Sequence, residues 1–414
     1  MGLSRRRFLA GAGLAAGAVA VPPVLAGCGD EHAIAKLPNV TLPAARADLP
    51  ERQHAWQATL ASDVHGNPIS PRCDRLLFFD VVGTPGAGHV RILEAALRQL
   101  EAQYPWGPDG LLFTAGWGHA YFARLINVRA PIPAAKALSD FEQPTFDAYH
   151  LCLHLACNDE SRLAEAQAEL LTGKHAITPA LRWRETRSGF TGVGLPAQHQ
   201  NVAGIPSGDP VARSAPMYMG FHSNLKGNQA SEDAVTIPSG PFREGTTMAV
   251  SYMTLSLDTW YSDLTEEQRI QRMYSPQTTV AAQRRITTDA ESNPGQINQA
   301  INRYSVIGHS QSSARARRNN RAIILRRDFN TTDGDQAGLH FVSLQRNIQD
   351  FVDTRTQMNQ SDAPLQNPAI SATTNNGINE FIFVQKRGNY VLPARAQRSF
   401  PLLPGRAEAL AHAV

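Results

Sequence analysis

Apolar residues fall into two alternating rhythms along this chain, and the switches between them mark its elements. Leu76-Leu77-Phe78-Phe79-Asp80-Val81-Val82 is the short apolar run of a buried strand, and Gly110 to Ala115 is a second. Between them, Val90 to Leu100 spaces its apolar residues three and four apart, which predicts a helix. A short helix is expected through Tyr121, Phe122 and Leu125, after which Tyr149 to Ala156 alternates as a strand. Asn158 or Asp159 can cap a helix from Ser161 to Leu171, because a short polar side chain there accepts from the first free N–H groups. Ala180 to Thr186 reads as a further strand.

A Gly- and Pro-rich passage from Gly189 to Gly245 separates this set from a second one. Thr246 to Asp258 is a long alternating strand, Asp258 to Met273 is helical, and Ile323-Ile324-Leu325 and Leu339 to Leu344 are strands. A helix over Asn347 to Met358 and a late strand over Glu380 to Val384 complete it. The β-α-β rhythm therefore occurs twice, which predicts an α+β fold with two halves of similar size. Residues 29 to 70 show no sustained periodicity and read as a tether before the folded part.

With 42% hydrophobic and 18% charged residues in 414, the chain has enough apolar surface for a large core, which excludes a disordered or fibrous protein. Charge changes the picture once the N-terminus is considered. Ser4-Arg5-Arg6-Arg7-Phe8-Leu9, an apolar run from Ala10 to Ala20 and Leu25-Ala26-Gly27-Cys28 together resemble a twin-arginine export signal ending in a lipobox. On that reading residues 1–28 are a signal and Cys28 becomes the lipidated first residue. The twin-arginine translocase is then a partner, and the protein sits in the cell envelope, lipid-anchored on the extracytoplasmic side. Each buried acyl CH₂ contributes about 0.8 kcal/mol to such an anchor. A plain secretory signal that discards Cys28 is the alternative. Without Arg5, Arg6 and Arg7 the 39 Lys and Arg fall level with the 36 Asp and Glu, so no excess is left for phosphate and nucleic acid is excluded as a partner. Cys73, Cys152 and Cys157 are too few for a disulfide framework.

Several blocks of the second half resemble the dye-decolorising peroxidases. They are Gly240-Pro241-Phe242 to Trp260, His309 with its Arg-rich loop, Ile324-Leu325-Arg326-Arg327-Asp328-Phe329-Asn330, and Gly338 to Arg346 followed by Phe351-Val352. Leu111 to Leu125 and Leu153 to Asp159 are similar with lower specificity. The resemblance spans some 300 residues. It implies two ferredoxin-like halves, 71–215 and 216–400, with antiparallel sheets, peripheral helices and a haem b site in the second half. It also implies hydrogen peroxide and a small or aromatic reductant as partners, and leaves a homo-oligomer open. On the family pattern His309 is the proximal haem ligand, and Asp350 and Asp353 are acceptors at hand for its second ring N–H. Arg326 is the distal arginine, a permanent cation beside a breaking O–O bond.

One departure stands out. The family's distal loop reads Gly-x-x-Asp-Gly, yet Gly220-Phe221-His222-Ser223-Asn224 carries Ser223 where Asp is expected, and the other alignment, Gly189 to Gly194, also lacks it. A serine hydroxyl does not accept a proton near neutral pH, so either His222 takes that role or Arg326 works alone. A non-catalytic haem-handling protein on the same scaffold is the second reading. The third is a haem-less envelope protein that holds a metal or a partner. For that, His150, Cys152 and His154 share one face of a strand, as zinc or copper ligands or as ordinary half-buried polar residues. Gly83 to Gly88 lacks the pattern of a phosphate-binding turn, and neither a Gly-x-Ser-x-Gly turn nor a His-Glu-x-x-His helix occurs.

Overall fold

The computed structural model describes residues 37–291 and 293–411. The expected signal and Cys28 lie outside these residues. The first half runs β1 (Cys73–Val81), α1 (Ala87–Gln103), β2 (Leu112–Gly118), β3 (Thr145–Phe146), β4 (Leu151–Cys157), α2 (Glu160–Thr172) and β5 (Leu181–Phe190). The Asp159 carboxylate caps α2 by accepting from the Ser161 amide, as the sequence suggested. Leu93, Leu97 and Leu100 of α1 and Leu163 and Leu170 of α2 are buried in one cluster with Leu77, Phe79, Phe113 and Leu153 of the sheet. Each such side chain contributes roughly 1.5–3 kcal/mol by leaving water.

The second half supplies β6 (Thr246–Leu255), β7 (Leu325–Arg326), β8 (Phe329–Thr331), β9 (Gly338–Gln345) and β10 (Ile382–Leu392). Within the halves the strand orders are β5-β1-β4-β2 and β8-β9-β6-β10, every neighbour antiparallel, which is the ferredoxin-like arrangement. The halves join twice, through Phe190 against Asn330 and through Tyr390 and Val391 of β10 against Gly118 and Trp117 of β2. Eight strands thereby close into a ring with helices outside. Phe78, Cys152, Met248, Val342 and Tyr390 fill its interior. The α+β expectation with two ferredoxin-like halves is met.

Three local readings change. The helix expected over 258–273 is two, Leu257–Ser262 and Glu266–Met273, because Thr265 and Gln268 form a capping box that starts the second afresh. The strand expected to stop at Val384 continues to Leu392 past an irregularity between Val384 and Lys386, which hides the alternation. The tether does not extend past residue 36 in the form expected. Trp56 is 1% exposed against Leu112 and Ala156, and the Gln53 amide bonds both the N–H and the carbonyl of Ala115.

His54, in that docked segment, is buried and gives a pH test. The Thr236 hydroxyl donates to Glu232 O, so it accepts from His54 Nε2 at 2.9 Å. Burial, then the charges of Arg327 and Arg52, push the imidazole down to about 3. Between that value and the ordinary 6.5 the unfolded chain binds a proton that the native one refuses, so stability falls as pH falls through this window. We expect His54→Gln to shrink the loss of unfolding free energy between pH 7 and pH 5 by about 2 kcal/mol, read from urea titrations at both values.

Candidate functional site

A cavity lies where the second half's sheet meets the helical segments 309–313 and 348–359. Ser251, Met253, Leu339, Phe341, Ile382 and Val384 line it from the strands, and His309, Phe351, Thr354 and Arg355 from the helices. Counting its open mouth and the solvent in it, the space spans about 1560 Å³.

His309 opens a short helix, His309–Ser313, and two glycines fix where it starts. A methyl group on Gly308 would lie 1.8 Å from the Tyr274 carbonyl oxygen, so no other residue fits beside that backbone. Gly377, at φ +58°, brings its chain against His309, where a Cβ would stand 3.2 Å from the histidine Cα. The Gly377 amide donates to Ile307 O at 2.8 Å, and buried Asn376 ties the same turn to Asn359 O at 2.7 Å. The imidazole itself has no hydrogen-bond partner among the described residues. Burial first, then the nearby charges of Arg326 and Arg355, push it down to about 3. It is therefore neutral at physiological pH, the form that coordinates a metal. The expected acceptors Asp350 and Asp353 do not reach it. They hold Arg318, at 2.6 and 2.8 Å.

Across the cavity stand Arg326, Ser223 and His222, so the structure brings together all four residues named from the sequence. The segment 220–224 is the one at the cavity; Gly189 and Phe190 close β5, and 189–194 contributes no lining. The Arg326 amide donates to Gln229 Oε1 at 2.8 Å, and its guanidinium reaches Ser223 O while Nε is buried without an acceptor. Burial lowers this guanidinium, and the charge of Asp328 partly offsets the effect. Neighbouring Arg327 turns away, 3.8 Å over the Trp56 ring. His222 is exposed at the cavity's edge, and partial loss of water around it lowers its proton affinity.

Sequence reasoning missed Asp328, Asn330, Ser251, Arg355 and Arg387. Arg387 lies beyond the point where β10 seemed to end, in register with Ser251 on β6. Its Nη2 donates to buried Glu142 Oε2 at 2.9 Å, and Arg355 Nη1 donates to Asn379 Oδ1 at 2.8 Å. Arg387 Nε and Nη1, Arg355 Nη2 and Ser251 Oγ are buried with no hydrogen-bond partner, Arg355 Nη2 standing 3.8 Å from Glu142 Oε2. Two cations against one carboxylate, with four donors unmet, call for an anionic ligand.

The His150, Cys152 and His154 face is not a metal edge: among the described residues no group of three His, Cys, Asp or Glu side chains could hold an ion. His154 Nε2 meets Asp74 Oδ1 at 2.8 Å, His150 Nδ1 accepts from the Val81 amide, and Cys152 packs in the ring interior.

A protein-family model described as a family of unknown function (DUF7405) matches residues 71–394. A search of curated proteins finds no match. Among solved structures, a DyP-type peroxidase from Cellulomonas bogoriensis is similar at 19% identity and TM-score 0.57, covering 86% of this chain and 94% of that one. DtpA from Streptomyces lividans, in an oxyferrous/water mixed complex, is similar at 18% identity and TM-score 0.55, covering 83% and 92%. A variant of DypB from Rhodococcus jostii RHA1 in complex with haem is similar at 14% identity and TM-score 0.53, covering 84% and 99%. The fold is that of the DyP-type peroxidases.

Proposed function

We propose that this chain, which belongs to the family of unknown function DUF7405, is a haem protein that uses hydrogen peroxide to oxidise a small or aromatic reductant. The observation that carries the reading is that a neutral, unbonded His309 and the unpaired Arg326 Nε share one cavity, in which Arg355, Arg387 and Ser251 also hold buried donors without hydrogen-bond acceptors. These residues fit haem b. His309 would hold the iron, the unmet donors of Arg355, Arg387 and Ser251 suit its carboxylates, and Met253, Leu339, Phe341 and Ile382 suit its apolar faces. Bound there, haem would supply the electrons that cleave the O–O bond and pass the oxidising equivalents to the reductant. The chain's own part is to orient peroxide and stabilise the charge that develops as that bond breaks, and Arg326, a buried permanent cation, is placed for both. A haem carrier without turnover is the rival reading, favoured by Ser223 in the loop at 220–224. The sequence reading also has the protein exported in folded form and held by a lipid at Cys28, which the mass of the mature N-terminus tests.

Titration with haemin should give a Soret band at one haem per chain, and peroxide should shift it. A band that peroxide leaves unmoved favours the carrier, and no band at all sinks both. In Arg326→Leu the band should persist while the reaction with peroxide slows about 100- to 1,000-fold, the usual effect of losing one preorganised donor. An unchanged rate in stopped-flow absorption would count against this role.

A further inference from the structure

Among the described residues that line the cavity, Asp328 is the sole carboxylate. It follows Arg326 by two positions, just before β8. The Ser223 hydroxyl donates to its Oδ2 at 2.6 Å, while Oδ1 takes no hydrogen bond from any described residue. Asp328 and Arg326 also line a second cavity, which Asp74, Lys226 and Glu232 face together with Trp56, Leu60 and Pro71. The carboxylate therefore stands at the boundary between the cavity that holds His309 and this second one.

Breaking a peroxide usefully requires a proton to leave one oxygen and arrive on the other, and a carboxylate beside a fixed cation is suited to that shuttle. Neither serine nor arginine can accept the proton near neutral pH. We infer that Asp328 is the proton-transfer residue of this site, with Ser223 as the positioning residue that orients its carboxylate. Hydrogen peroxide gives a proton to Asp328 Oδ1. As the O–O bond breaks, the departing oxygen takes that proton back and leaves as water; bound haem would supply the two electrons for the cleavage, and the reductant's two electrons and two protons would then restore it and carry the other oxygen to water. The departure at Ser223 is then a relocation: the loop keeps a hydroxyl that aims an acid carried by the neighbouring strand segment. The assignment rests on the haem reading, and the test separates the two.

The test uses the haem-loaded full chain and two probes, peroxide and cyanide. Cyanide is supplied as its weak acid and binds as the anion, so its equilibrium affinity reports a proton acceptor in the cavity without any turnover. Asp328→Asn should keep the Soret band, bind cyanide at least about tenfold more weakly and react with peroxide about 100-fold more slowly. Asp328→Glu should recover part of both, and Ser223→Ala should weaken cyanide binding by less than Asp328→Asn does. A normal Soret band with unchanged cyanide affinity in Asp328→Asn overturns the assignment and leaves the haem reading standing. Loss of cyanide affinity in His222→Ala but not in Asp328→Asn overturns it in favour of the histidine. A wild-type protein that shows no Soret band overturns both.

Discussion

His309→Ala is expected to remove the Soret band that the wild-type chain develops with haemin. The imidazole is the only side-chain link that this reading gives to the iron. Changing groups that merely orient a ligand costs about 10–100-fold in metal affinity, so removing the ligand should cost more than about 100-fold. The substitution is also a clean one. The ring has no hydrogen bond to lose, and the backbone on either side is held by the Gly308 and Gly377 contacts, which do not involve it. The apoprotein should unfold at the same urea concentration as wild type near pH 7, where burial has already left the ring uncharged. An unaltered haem spectrum in this variant would refute the ligand assignment. Loss of the band in His222→Ala alone would move it across the cavity.

The largest effect on stability is expected at Arg398, far from the cavity. This fully buried guanidinium lies between Glu94 and Glu101 of α1, with Nη2 at 3.0 Å from Glu101 Oε2 and 3.3 Å from Glu94 Oε1. Ser399 Oγ and Arg98 Nε also donate to Glu94, at 2.7 and 2.8 Å, and Arg395 meets Glu101. Burial alone would raise Glu94, but the charge of Arg398 and these bonds outweigh it and hold the carboxylate below its ordinary range. Arg398→Ala leaves two buried carboxylates short of their main partner, and breaking such a pair from one side costs about 3–5 kcal/mol. In a chain of this size that corresponds to a midpoint lower by roughly 5 °C. The triple change Arg398→Met, Glu94→Gln, Glu101→Gln should recover much of it, since the loss comes from the charge left behind. A single variant as stable as wild type in calorimetry would show that water reaches these carboxylates.

What could be read from the chain and what could not divide along a physical line. β1, α1 and α2 were legible because each buries one side through a local period: Leu93, Leu97 and Leu100 announce their helix without knowledge of anything distant. The docking of 50–70 was not, because Trp56 is the lone aromatic residue in a stretch without sustained periodicity, and its pocket on β2 and β4 is built far along the chain. The far half of β10 was hidden by Gln385-Lys386-Arg387-Gly388-Asn389, which looks like a turn until the closed sheet sets Arg387 on its helix-covered outer face against Glu142. At the site, His309 and Arg326 were found through flanking blocks of resemblance. Asp328 stands in one of those blocks, but nothing in a sequence shows that a carboxylate at 328 meets a hydroxyl at 223. The orphaned donors of Arg355 and Arg387 are likewise invisible until both strands and helix are assembled.

The ring is closed by its last strand. β10 starts at Ile382 of a 414-residue chain, and it both joins β6 to β2 and contributes Ile382, Val384 and Arg387 to the cavity wall. During synthesis, which proceeds from the N-terminus, β2 therefore waits as an open strand edge while more than 260 further residues emerge. The pocket acquires its final wall only once β10 has emerged, so any ligand that fills it arrives after that strand rather than before it.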